Sequence, residues 1–528
     1  MRRAVLMGLV AALAGSGLAG EFEEWQKQQE AALRGFVAKS DAEFAAFLER
    51  DWREFQLMQG APRLKAPKPP APPVAEPPAP GPAPVSRPVE EVPPPPAPEA
   101  PVLVPPVPPE PTVPPEEPSF PEPEPAPPQP QEEPTPPVPP EPQPAPPEPE
   151  APPPPPEPEL PPHGQRVEIP FFGTRLALVC DPDLCAPLGR PIDGDAISAF
   201  WQALRRARHE ELVDQAQALH QRLGLNDWGY CFLAYQIGQA VCTPDRDRGM
   251  LLAWSLLLES GYNARVAYDQ QRVHLLLPAS TTLYSVPYFT FGEQRFYAMS
   301  FDGQGSEVGA VYTYDGSYAG AEQTVDLTLP WPPSLPEEAV ERTLSFAVGG
   351  VEQRIRVRLN RNAVDFLGQY PETDLAVYFS ASPSPATGAS LLEGLRPLVQ
   401  GQSELEAVNR LLACVQKSLD YQVDDEQFGR ERTLFAEESL FYPYSDCEDR
   451  AVLFAYLVRN LLGLPVVGLT YPGHVAAAVQ FSDPIPGTTV EHQGATYTVC
   501  DPTYINATAG MCMPDYENTQ PEVTLIGG

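Results

Sequence analysis

The sequence predicts an α+β protein, and three observations predict it. Helical periodicity recurs around residues 195–222 and 245–260 and again after residue 386. Strand-like runs such as "ATYTVC" and "HVAAAVQF" follow those helical stretches. Between them and the N-terminus lies a segment too rich in proline to join either. Pro62 to Pro162 hold 50 of the 73 prolines, with 16 Glu against 4 Lys/Arg.

Taken in order, residues 1–19 carry two arginines, an apolar run and small residues at Gly17 and Ala19. They read as a secretory signal peptide cut after Ala19, so the chain is expected to be exported, to a periplasm or beyond the cell. No later apolar run reaches the roughly 18 residues that cross a bilayer. Residues 20–61 read as an amphipathic helical segment in which Phe44, Phe47, Trp52 and Phe55 recur at helical spacing. Forty residues bury little alone, so these aromatics want a partner, whether a second copy, the globular part or another envelope component, unless the segment packs on itself as a short helical hairpin. Residues 62–162 read as a disordered, partly polyproline II spacer, because a chain without apolar clusters does not offset the entropy of ordering. The formal charge of −35 argues against nucleic acid as a partner.

The remaining chain divides into three stretches. Residues 304–385 lack helical periodicity and carry segments such as "RTLSFAV" and "QRIRVRLN", which predict a small β domain. Residues 163–303 and 386–528 each run from helices to strands, and they align. "DRGMLLAWSLLLESG" (247–261) set on "DRAVLFAYLVRNLLG" (449–463) gives five identities in 15 positions. In that alignment His274 falls near His474, Asp302 near Asp501, and Asp245 takes the place of Cys447. A diverged duplication is the expectation.

Eight cysteines suit one or two disulfides, with Cys180–Cys185 and Cys500–Cys512 as the near pairs in sequence. Cys447 is different. Pro443 keeps the chain extended before it, Ser445 or Asp446 can cap a helix, and the apolar stripe from Val452 to Leu461 ends at Gly463 and Pro465. The first turn of a helix favours a thiolate, and the flanking Asp446, Glu448 and Asp449 oppose it, so a histidine is needed nearby. His474 opens a strand-like run directly after "YPG", and Asp501 ends the next one. A histidine can take the thiol proton while the carboxylate fixes the ring. Other readings of the same residues are a zinc site of Cys447, His474, Cys500 and Cys512, a disulfide through Cys447, and an inactive groove that only binds peptides.

"DCEDRAVLFAYLVRNLLGLPVV", "GHVAAAV" and "YTVCDPTY", in this order, resemble the transglutaminase-like superfamily of papain-related enzymes, over roughly residues 400–510. The resemblance implies a papain/transglutaminase-like C-terminal domain at 386–528, a degenerate copy at 163–303, and a triad of Cys447 as nucleophile, His474 as base and Asp501 as its orienting partner. It implies acyl transfer on peptide or protein amides, as a cysteine peptidase, an amidase or a cross-linker, without metal or cofactor. The backbone N–H of Cys447 would be one oxyanion donor, with Tyr442 or Gln427 as weak candidates for the second. Asp449 and Arg450 recur as Asp247 and Arg248 and are expected to be structural. The contrasting expectation is a non-catalytic peptide-binding or envelope-scaffolding protein.

Overall fold

The structure, a computed structural model, describes residues 19–63, 67–75, 163–269, 271–301 and 309–526. The signal-peptide reading, most of the proline-rich stretch and Asp302 lie outside those residues. All described residues belong to one compact unit, and its make-up is α+β.

The described residues begin with helix α1 (Ala19–Leu48) and a short strand β1 (Arg53–Gln56), and the next described elements are a hairpin of β2 (Gln165–Phe171) and β3 (Thr174–Cys180). Four helices follow: α2 (Gly194–Leu204), α3 (His209–Leu223), α4 (Asp227–Val241) and α5 (Arg246–Glu259). Strands β4 (Arg265–Tyr268), β5 (Val273–Pro278), β6 (Tyr288–Phe291), β7 (Gln294–Met299) and β8 (Ala310–Thr313) complete the first lobe. With β1 they form one antiparallel sheet in the order β1-β8-β4-β5-β7-β6.

The N-terminal aromatics find their partner in this lobe. Phe44 lies edge-on to Trp201 at 5.1 Å and to Tyr318 at 5.3 Å, while Phe47 and Trp52 meet Tyr314 at 5.5 and 5.2 Å. Leu48 is fully buried, Arg205 pairs with Asp41 at 2.9 Å, and β1 pairs with β8. The ring of Phe47 sits where a Cβ on residue 316 would be, 2.3 Å away, so Gly316 is what lets the helix approach. Of the partners the sequence leaves open, the globular part is the one these aromatics take.

Residues 304–385 form no separate β domain among the described residues. β8 belongs to the first sheet, and the long hairpin β9 (Ala339–Val348) and β10 (Val351–Asn360) lies against helices of the second lobe. Short helices α6 (Arg361–Leu367) and α7 (Leu375–Ser380) come next. Alternation in these strands reads correctly, but the apolar face is buried on helices instead of on a partner sheet.

The second lobe contains α8 (Pro385–Val399), α9 (Glu404–Ser418), β11 (Asp420–Tyr421), α10 (Asp424–Gln427), α11 (Ala436–Phe441), β12 (Tyr444–Ser445) and α12 (Cys447–Leu462). Strands β13 (Val466–Tyr471), β14 (His474–Val479), β15 (Thr489–His492), β16 (Ala495–Cys500) and β17 (Glu522–Leu525) then build its sheet. The order is β15-β16-β14-β13-β17, antiparallel throughout. Read from the other edge, it repeats β8-β4-β5-β7-β6 of the first lobe, each sheet preceded by one long buried helix, α5 or α12.

The lobes differ where chemistry would sit. Counted from the N-caps, Asp245 and Asp446, Arg246 holds the place of Cys447; counted from the closing glycines Gly261 and Gly463, both at positive φ, Asp245 does, and neither is a cysteine. Val273 opens β5 opposite Tyr268 as His474 opens β14 opposite Tyr471. The two pairs face opposite ways, Tyr268 and Val273 toward the central core and Tyr471 away from it. His274, which pairs with Ala267, therefore lies on the same face of its strand as His474. His274 Nε2 meets Asp269 at 3.5 Å.

The near cysteine pairs do not form. The disulfide joins Cys185 to Cys242 across 57 residues, with Cα atoms 5.3 Å apart, and Cys180, Cys500 and Cys512 are free. Cys242 was hidden from sequence reading because α2, α3 and α4 separate it from its partner.

Candidate functional site

The turn Tyr471-Pro472-Gly473-His474 is dictated locally. Proline presets φ for the first central residue, and Gly473 at φ 74° supplies the left-handed conformation of the second. This hairpin places His474 at the start of β14, fully buried. Asp501 follows the last residue of β16, the strand next to β14. His474 Nε2 and Asp501 Oδ2 are 2.8 Å apart. The other carboxylate oxygen accepts from the backbone N–H groups of Thr503 (2.9 Å) and Tyr504 (3.2 Å).

A carboxylate that accepts on both oxygens makes His474 Nε2 the donor, so Nδ1 carries the lone pair. That Nδ1 is buried and has no hydrogen-bond partner. Tyr516 stacks on the imidazole, centroids 5.2 Å apart and planes within 13°, and its hydroxyl is within electrostatic reach of Cys447 and Asp501.

Gln416, on α9, holds the loop after Asp501. Its Nε2 donates to the carbonyls of Asp501 (3.2 Å), Tyr504 (2.9 Å) and Ala507 (3.1 Å), and its Oε1 accepts from Asn506 N–H. Sequence reading missed it because a lone glutamine on a helix has no periodic signature.

Cys447 opens α12, a helix that packs against β14. Asp446 is the N-cap, and its N–H donates to Asp449 at 3.2 Å. Asp449 also accepts from Leu434 N–H at 2.7 Å, while Arg450 donates to Leu419 O at 2.7 Å and to Ser445 Oγ at 3.2 Å. Both residues hold backbone in place. The thiol itself is fully buried and points to its neighbour: Cys447 Sγ donates to Glu448 Oε2 at 3.0 Å. Burial first, then Glu448 and Asp446, push this thiol well above its ordinary pKa. The helix start does not offset them, so in this arrangement the flanking acids prevail over it.

The largest departure from the sequence reading is what lies beside Cys447. Residues 67–75, assigned to the spacer by composition, cross the second lobe as an extended strap. Lys68 Nζ reaches Asp446 Oδ2 and Glu448 Oε1 at 2.5 Å each, Glu431 at 2.7 Å and Asp424 at 2.9 Å. Tyr421 donates to Pro69 O at 2.8 Å. Val74 pairs with Ile505, and Ala75 N–H donates to Ile505 O at 2.8 Å. Just upstream, Arg63 bonds Glu372 at 2.9 Å and Glu448 at 3.0 Å.

The electrostatics follow from four carboxylates around one ammonium. Burial would lower the Lys68 pKa, but Glu448, Asp446 and Asp424 overcome it and hold the ammonium charged. Glu448 is kept well below the carboxylate range against burial by Lys68 and Arg63. The remaining acids have no such partner to themselves. Burial raises Asp424 to about 6 and Glu431 to about 7, and lifts Asp446 and Asp449 well above their ordinary values.

The residues of the zinc reading do not converge. Cys500 belongs to the central core, whereas Cys512 packs with Val467, Leu469 and Tyr471 on the other face of the sheet. Among the described residues, the groups close enough to hold a cation are combinations of Asp424, Glu431, Asp446, Cys447, Glu448 and Asp449, and Lys68 already sits among them. Of the two oxyanion candidates, Gln427 keeps a buried, unpartnered Nε2, while Tyr442 packs on Phe428 at 5.2 Å and on Arg432. No described helix is long and apolar enough to cross a membrane. No protein family, curated protein or solved structure matches the chain.

Proposed function

We propose that this chain is an exported thiol-dependent acyl-transfer enzyme of transglutaminase-like type, acting on peptide or protein amides through Cys447, His474 and Asp501. The observation that carries the reading is the buried His474–Asp501 pair, whose free Nδ1 is the lone pair a thiol proton would go to. Proton transfer from Cys447 Sγ to Nδ1 gives a thiolate–imidazolium pair. The thiolate attacks the amide carbonyl, and the C–N bond breaks as the imidazolium returns the proton to the leaving amine. Water then releases an acid, or a second amine releases a new amide. The degenerate reading of the first lobe belongs to this proposal and is supported by its shared chain path and by the absence of a cysteine from the start of α5.

The test is intact-mass analysis of the purified chain after incubation with short peptide carboxamides. An acyl adduct on Cys447 is expected in the wild type and should be lost in His474→Ala. Absence of any adduct, with Cys447 alkylation unchanged by His474→Ala, would sink the reading. A second reading, a peptide-binding groove without catalysis, has its own support: the thiol donates to Glu448, and a peptide-like strap already lies beside it.

A further inference from the structure

The acid cluster at the start of α12 contains more carboxylate than the lobe can neutralise by itself. Asp424, Glu431, Asp446 and Glu448 converge on one point, and that point is filled by an ammonium from a residue more than 350 positions away in sequence. Lys68 is only 5% exposed as a side chain. Emptied, the cluster would leave buried acids without a counter-charge, which is strongly unfavourable unless protons or another cation replace it. The pocket therefore needs a cation at the end of a flexible stem.

The rest of the strap is held in the way an extended peptide is held by a receptor. Pro69 O accepts from Tyr421, Ile505 N–H donates to Pro73 O, and Ala75 N–H donates to Ile505 O. These are main-chain contacts to an extended, proline-rich segment, with one charged anchor giving specificity. Lys68 lies at the nucleophile's end of this path, and Ala75 lies at the loop that follows Asp501.

We propose that this pocket and the edge at Ile505 form a receptor for a lysine-bearing, extended proline-rich peptide, and that residues 67–75 are its resident ligand in cis, closing Cys447 while they are bound. The proposal rests on the functional reading above only for the word "closing"; the receptor itself is independent of catalysis. It commits to a primary ammonium on an extended strand as the ligand chemistry. In cis the site is satisfied by Lys68; Arg87 is the only other Lys or Arg between it and His163.

The experiment uses the full chain and two variants that loosen the strap at opposite ends, Lys68→Ala and Ala75→Pro. The second removes the N–H that Ile505 accepts and leaves the acid cluster untouched, so it speaks even if the first unfolds. Iodoacetamide labelling of Cys447, read by mass spectrometry, should accelerate about tenfold or more in both. A fluorescein-labelled peptide of residues 66–76, which contains one lysine, should bind Lys68→Ala saturably and slow labelling back toward the wild-type rate. The same peptide with alanine for that lysine should bind at least about tenfold more weakly.

Unchanged labelling in both variants would overturn closure. Equal binding of the two peptides, or none by either, would overturn the lysine receptor. His474→Ala separates this outcome from failure of the catalytic reading, since it should abolish acyl-adduct formation and leave peptide binding unchanged.

Discussion

Cys447 and Glu448 are adjacent in sequence, and the thiol of the first donates to the carboxylate of the second at 3.0 Å. The other oxygen of that carboxylate takes Lys68 and Arg63. A nucleophile candidate is thus held as a thiol by its own neighbour, and the neighbour is held ionised by residues from the N-terminal segment.

Replacing Glu448 by glutamine should release the thiol. Removing the nearest negative charge lowers the Cys447 pKa, so the pH profile of its alkylation should move to lower pH by about one unit or more. Asp446 remains and opposes the shift, so a full return to an ordinary cysteine is not expected. A profile that does not move would mean that burial alone sets the thiol's protonation.

Stability should fall as pH rises from about 4.5 to 7. Glu438, buried beside Arg432, is raised to about 7 by burial against that pairing, as Glu431 is raised to about 7 and Asp424 to about 6. Each binds a proton in the folded state that the unfolded chain has already lost in this window, so their contribution is full below their unfolded pKa and disappears through the folded one. Glu448 works in the opposite sense, since its depressed pKa adds stability that is lost only below the ordinary carboxylate range. Melting followed by circular dichroism should give a Tm about 5 °C or more higher at pH 5 than at pH 8.

Gln416→Ala should cost about 2–3 kcal/mol, because three buried carbonyls and one N–H lose their partner together. The loop from Asp501 to Ala507 would then loosen around His474. Denaturant unfolding measures the cost, and faster hydrogen exchange at Tyr504 and Asn506 would locate it. Gln416→Glu, which keeps the shape but not the donor, should not rescue it.

A chain starting at Gly164 should not behave as an autonomous head. It lacks Phe44, Leu48 and Trp52 and so exposes Trp201, Tyr314 and Tyr318, and it leaves the acid cluster without Lys68 and Arg63. Expression of that fragment should give aggregated or weakly cooperative protein, whereas adding residues 20–76 in trans should restore a sharp melting transition.

What was legible in the sequence was local. The helix of Cys447, its Asp446 cap, the Pro-Gly turn before His474 and the strand ending at Asp501 each have a neighbour-to-neighbour cause, and each is where those causes put it. Asp449 and Arg450 likewise hold backbone. What was not legible depends on contacts distant in the chain. Composition assigns Lys68 to a spacer, and the only hint otherwise is that three of the four spacer cations, Arg63, Lys65 and Lys68, fall within its first seven residues. The balance at the thiol was not legible for the same reason: helix position favours a thiolate and the flanking acids oppose it, while the complete burial that sides with the acids comes from contacts distant in the chain. Alternation in β9 and β10 said that one face is covered, not by what.

The strap changes what the proline-rich stretch is in covalent terms. The described chain leaves the compact unit at Ala75 and is back in it at His163, with the N-terminal helix docked in the same unit. The described residues on either side of the stretch, Ala75 and His163, are on one body, so its length does not set a distance between the N-terminal helix and the second lobe. Anything that grips residues 76–162 holds the molecule by two attachment points, and one of them is seven residues from Lys68.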